Sequence, residues 1–207
     1  MLVCGCILGC SQRCGLGCRD EKPSPQPSDI LLVGAAPVPD LDSTLPTPDA
    51  FARDALWSRA IESDDVIDLA SLADREGAAG LLDAVESGGR VGLTALAALP
   101  MADDAPVAYR RLAQLALLTD GRARLRVLEA IHGIAAVSTR YGEPVDEGGR
   151  EACAAALLRI ARDLGNPASH RSVAISSLRQ PALGSMVDAS LVPTDLDSQV
   201  DVNPVSE

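Results

Sequence analysis

Aromatic side chains are nearly missing from this chain: one Trp, two Tyr and one Phe among 207 residues. Lysine is scarcer still, since Lys22 stands alone against 17 arginines, a skew that a GC-rich coding sequence produces without any mechanism. Basic charge is in deficit overall. The formal net charge is -11, which argues against a nucleic-acid binder, because neutralising phosphates needs an excess of Lys and Arg. No stretch approaches the ~20 apolar residues that cross a bilayer, so a transmembrane span is excluded. Motifs of catalysis are missing too. The chain has no His-Glu-x-x-His, no Gly-Lys-Ser/Thr phosphate loop, no Gly-x-Ser-x-Gly elbow and no Cys-x-x-Cys.

What is present is unevenly placed. Five of the six cysteines, Cys4, Cys6, Cys10, Cys14 and Cys18, fall in the first 18 residues, and Cys153 stands alone in an alanine-rich helical pattern. A disulfide framework spreads its cysteines so as to close loops, so the body is not stapled. Cys153 reads as a buried structural thiol rather than a nucleophile. Residues 51–180 carry 18 acids and 15 arginines, close to balance, whereas residues 21–50 and 181–207 hold ten acids and a single base. These shifts divide the chain into a Cys/Gly-rich leader at 1–19, a Pro-rich linker at 20–50, a helical body at 51–180 and an acidic tail at 181–207, read as disordered. Within the linker, Ile30-Leu-Leu-Val-Gly-Ala-Ala reads as a short strand or a docking segment.

The leader admits three readings. The apolar run ending in Ile7-Leu8-Gly9-Cys10 resembles the lipobox of bacterial lipoprotein precursors. Gly15-Leu16-Gly17-Cys18 resembles it less closely, and is followed by a polar stretch suited to a mature N-terminus. The resemblance makes Cys10 and Cys18 the lipidation candidates, and implies a membrane-anchored protein of the cell envelope facing the periplasm. Alternatively, Cys6, Cys10, Cys14 and Cys18 recur every four residues and offer four thiolates to zinc, although the uniform spacing lacks the paired ligands of known sites. The third reading is a leader with no role.

The body is all-α. Ala and Leu fall at i, i+3 and i+4 in short blocks separated by Gly, Asp-Gly or Asn-Pro breaks. Gly88-Gly89 separates helices predicted over 77–87 and 90–99, and Asp120-Gly121 separates 106–118 from 122–136. Asp103-Asp104-Ala-Pro106 and Asn166-Pro167 each supply a cap and a first-turn proline. Residues 84–99 align without gaps on 116–131 at an offset of 32, both reading as helix, tight turn, helix; further echoes occur at offsets of 24 and 47. The pattern over 55–179 resembles HEAT-like repeats, which implies a short right-handed solenoid of about four antiparallel helix pairs. A compact helical bundle is the alternative.

Few side chains suggest chemistry. Glu129 and His132 have the i, i+3 spacing of a di-iron half-site, but a complete site needs a second copy and two further carboxylates. Both His132 and His170 read as surface or capping residues. Arg90, Arg110, Arg111, Arg122, Arg124 and Arg126 are candidates for a guanidinium ridge suited to an acidic peptide or an anionic headgroup, with a solvated, Asp-balanced face as the plainer reading. Phe51 and Trp57 read as closing one end of the array. The expectation is a non-enzymatic protein-binding or scaffold module with a protein partner and no cofactor. The alternatives are a cytoplasmic helical adaptor, or a metal-binding or enzymatic accessory factor using the Cys-rich head.

Overall fold

Asp54 accepts hydrogen bonds from the main-chain N–H groups of Leu56 and Trp57 at 2.9 and 3.0 Å, so a helix starts at Ala55. In the computed structural model, which describes residues 38–137 and 146–194, such local signals set out nine α-helices and no strand. All of these residues lie in the second of two units into which the chain divides, Gly34–Glu207. The helices are α1 (Asp49–Ala52), α2 (Ala55–Ser63), α3 (Val66–Val85), α4 (Gly89–Ala98), α5 (Tyr109–Leu118), α6 (Gly121–Ala136), α7 (Glu147–Arg162), α8 (Ala168–Leu178) and α9 (Pro181–Gly184). Leu99–Met101 and Ala105–Ala108 form 3-10 turns between α4 and α5.

Helix α3 is broken at Gly77, whose φ of +63° is open to glycine and strained for other residues. The break exposes fresh N–H groups in mid-helix, and Asp104 caps them from a distance: its Oδ1 accepts from the Ala78 N–H at 2.8 Å. The helix predicted from residue 77 thus starts where the sequence placed it, but it is the second half of a longer element. The cap predicted at Asp103-Asp104 is not local. Asp104 makes no side-chain bond to the turn that follows it, in which Pro106 takes an early position.

The turns between helices repeat a backbone feature. Gly89 and Gly121 lie 32 residues apart, each opens a helix, and their φ angles are +50° and +47°. Each turn folds the following helix back on its predecessor, so that α3 packs on α4, α5 on α6 and α7 on α8. Across these pairs, α2 packs on α4, α4 on α6 and α6 on α8, while α5 packs on α7. The second half of α3 meets the 3-10 turns that lead into α5.

Alanine makes this spacing possible. Ala60, Ala73, Ala78, Ala95, Ala98, Ala113, Ala116, Ala135, Ala154 and Ala161 are all buried, and small contact residues let helix axes approach to the short end of the usual 8–10 Å. Leucine and isoleucine fill the layers between, among them Leu72, Leu81, Leu112, Leu128, Ile131 and Leu157. Cys153 is fully buried in α7, and burial pushes its thiol far above the ordinary range. Trp57 is buried and meets Phe51 edge to face at 4.9 Å, and its indole N–H donates to Glu76 at 3.3 Å.

Both flanks hold more structure than their proline content indicates. In the segment assigned to the linker, Leu41 is 1% exposed and belongs to the core. The Asp40 carbonyl accepts from the Gly89 N–H at 2.8 Å, which ties the segment to the α3–α4 turn. In the segment assigned to the tail, Leu183 of α9 is buried, and α9 packs on α7 and α8. Arg162 donates to the Leu191 carbonyl at 3.0 Å and Arg179 to that of Thr194 at 3.2 Å. The cysteine leader, the segment 30–36 and residues 195–207 lie outside the described residues. No helix among the described residues is long and apolar enough to cross a membrane.

Candidate functional site

A groove of about 460 Å³ runs across α4 and α6. One wall is the segment from Leu41 to Leu45, held by the burial of Leu41. The end of α2 contributes Ile61 and Asp64, α4 contributes Arg90, Leu93, Thr94 and Ala97, and α6 contributes Arg122 and Arg126. Three of the six arginines singled out from the sequence therefore converge. Arg90 and Arg122 hold the same position after the glycines that open their helices, and Arg126 lies one turn beyond Arg122 on the same face.

Each guanidinium has its own environment. Arg90 donates to the Ile61 carbonyl at 2.7 Å, which satisfies an orphan acceptor near the end of α2 and holds the side chain across the groove. Arg126 pairs with Glu129 at 2.9 Å, one turn further along. Arg122 is exposed and makes no hydrogen bond or ion pair among the described residues. Thr94 is 5% exposed and lines the groove, and its hydroxyl makes no hydrogen bond among the described residues. Asp42 and Asp64 also line the groove, from the Leu41–Leu45 segment and from the residue that follows α2.

The other three arginines are engaged elsewhere. Arg124 turns to the opposite face of α6, where its Nε donates to the Thr119 carbonyl and its Nη1 to Asn166 Oδ1, both at 2.6 Å. Asn166, read as the cap of α8, is thereby drawn to α6, and its amide also donates to the Ile160 carbonyl at 3.3 Å. Arg111 is partly buried and pairs with Glu86 at 2.6 Å. Arg110 pairs with Asp146 at 3.3 Å; that guanidinium, with the Gly149 N–H, holds the Asp146 carboxyl below its ordinary range.

The histidines take no part in the groove. His170, read as a surface or capping residue, is instead buried at 4% exposure under α6, and its Nδ1 finds no partner among the described residues. Desolvation lowers its pKa, the nearby Arg124 charge adds to this, and the main chain at Gly121 opposes both. Sequence reasoning missed the site because an imidazole at the third position of a helix carries no signal of what packs over it. His132 lies 3.4 Å from Ser177 Oγ, while Glu129 turns to Arg126, so the pair does not converge on a common point. Among the described residues no group of three His, Cys, Asp or Glu could hold a metal ion. Cys6, Cys10, Cys14 and Cys18 lie outside them.

Chemically, the groove offers charge-assisted donors from Arg122 and Arg126, the Thr94 hydroxyl and a short apolar strip on α4. That set suits a carboxylate or phosphate beside an apolar group. Comparison with protein families, with curated proteins and with solved structures finds no match for this chain.

Proposed function

We propose that this chain is a non-enzymatic binding module: a short HEAT-like array of antiparallel helix pairs, anchored at the bacterial cell envelope by lipid on Cys10 or Cys18, that holds a protein partner on a helix-lined surface. The observation that carries this reading is the stacking of successive pairs, with α4, α6 and α8 packed in sequence and the pairs α5–α6 and α7–α8 joined through α5 and α7. Helix α3 packs on both α2 and α4, and its break at Gly77 lets the two halves be read as members of separate pairs, which with α5–α6 and α7–α8 supports a reading of four pairs. The matched left-handed glycines at 89 and 121 support the offset of 32 seen in the sequence. A helix pair that is apolar on both sides cannot bury itself alone, so neighbours supply the cover and leave extended surfaces for partners. The anchor rests on the lipobox-like Ile7-Leu8-Gly9-Cys10.

The intact mass of the chain recovered from membrane and soluble fractions of its own cells, expressed with its native upstream region, tests the reading. A diacyl or triacyl mass on a chain starting at Cys10 or Cys18 is expected. A soluble, unmodified chain that retains Met1 refutes the envelope assignment and makes the protein a cytoplasmic helical adaptor.

A further inference from the structure

We propose that the groove over α4 and α6 receives an extended acidic segment of a partner protein, with its carboxylates held by Arg122 and Arg126. The inference rests on the binding-module reading and specifies its ligand. Two arginines at i and i+4 present parallel donors along one helix face, and a guanidinium forms charge-assisted bonds to carboxylates in fixed geometry. Arg122 has no partner among the described residues, and Arg126 has only a solvent-exposed glutamate, so an incoming carboxylate displaces little. Arg90, tied to the Ile61 carbonyl, adds a fixed positive charge beside them.

The Thr94 hydroxyl lies in the same groove. The residue is 5% exposed and lines the groove, and its hydroxyl makes no hydrogen bond among the described residues. A hydroxyl open to the groove can donate to a peptide carbonyl seated over α4. Leu93 and Ala97, one turn apart on the same helix, offer an apolar strip to a neighbouring side chain. Asp42 and Asp64 also line the groove, against three arginines, so its charge remains net positive. A groove of about 460 Å³ with several spaced donors suits a peptide of several side chains better than a lone phosphate, and the volume lies within the range of ligand sites.

Fluorescence anisotropy on the full chain, with a fluorescein-labelled hexapeptide Leu-Asp-Asp-Leu-Ala-Lys and its Asn-for-Asp counterpart, tests this. The Asp peptide is expected to bind, the Asn peptide roughly tenfold or more weakly, and the double variant Arg122→Gln/Arg126→Gln to lose roughly the same factor for the Asp peptide alone. Arg53→Gln, on exposed α1, serves as the control and leaves binding unchanged. Equal binding of the two peptides, indifference to the double variant, or no binding of the Asp peptide at millimolar concentration overturns the proposal. Displacement of a bound anion by inorganic phosphate through the same arginines, with neither peptide retained, also overturns it and leaves a small-anion site. Thermal melts of each variant separate loss of contact from loss of fold. Lipidation read from the intact mass is independent of all these outcomes, so the two readings fail separately.

Discussion

Leu41 should behave as a core residue although it lies in a proline-rich stretch. Its side chain is 1% exposed and packs with the interior, so Leu41→Ala removes a buried isobutyl group and leaves a cavity. Such truncations cost about 2–5 kcal/mol where the surroundings cannot collapse. The segment is peripheral and can detach, which caps the global loss at the free energy of holding it, so the lower end, about 2 kcal/mol, is expected. At a urea slope of about 2 kcal/mol/M, that moves the unfolding midpoint down by about 1 M. A local reporter is built in: the Gly89 amide donates to the Asp40 carbonyl at 2.8 Å, and its hydrogen exchange should accelerate as the segment lifts. The exchange rate is expected to rise about 30-fold for a 2 kcal/mol loss. Because the same segment walls the groove, affinity for the Asp peptide should fall as well. An unchanged midpoint together with unchanged Gly89 exchange would show that residues 38–45 do not hold the body, and would refute the docking.

Asp104→Ala should lower stability by about 1 kcal/mol, or roughly 3 °C in melting temperature, by stripping the cap from Ala78, while Asp104→Asn retains most of it; identical melting of all three chains would remove the role. His170 predicts an acid dependence. Its folded pKa lies below the unfolded value of 6.5, so its neutral form favours the fold above that pH, and stability is lost as pH falls through 6.5 toward the lowered folded value. Urea midpoints between pH 7.5 and 5.5 should fall in the native chain and stay flatter in His170→Gln; parallel slopes would exclude it. Asp54 and Asp146, whose carboxyl pKa values are lowered, act only in a more acidic window.

The sequence made the helices and their turns legible because both depend on neighbouring residues. Gly88-Gly89 and Asp120-Gly121 are turns by composition, and the positive φ at 88, 89 and 121 is the physical reason. Caps were legible as residue types and not as partners. Asp104 and Asn166 stand where local caps belong, yet one reaches Ala78 and the other Arg124 and Ile160, since these donors and acceptors come into reach after the helices pack. Leu41 and Leu183 were hidden for a different reason. Proline signals extended chain, and extended chain can dock as well as dangle when a single apolar side chain finds a gap in the core.

Half of the arginine cluster was readable from helix geometry alone. On an α-helix, successive residues turn by about 100°, so positions 122 and 126 share a face while 124 points about 200° away from 122. A single ridge through 122, 124 and 126 belongs to a strand, and the period assigned to this segment already forbade it. The observed division follows: Arg122 and Arg126 line the groove, and Arg124 crosses to Asn166. Arg90 joined the first group because the offset of 32 carried its helix position along with its sequence position. Arg110 and Arg111 could not be placed this way, since they sit on the partner helix of the pair and meet Asp146 and Glu86 across elements. An arginine's sequence position fixes its helix face, but its availability depends on the carboxylates that packing brings within reach; here that leaves Arg122 as the guanidinium with the fewest prior engagements of the six.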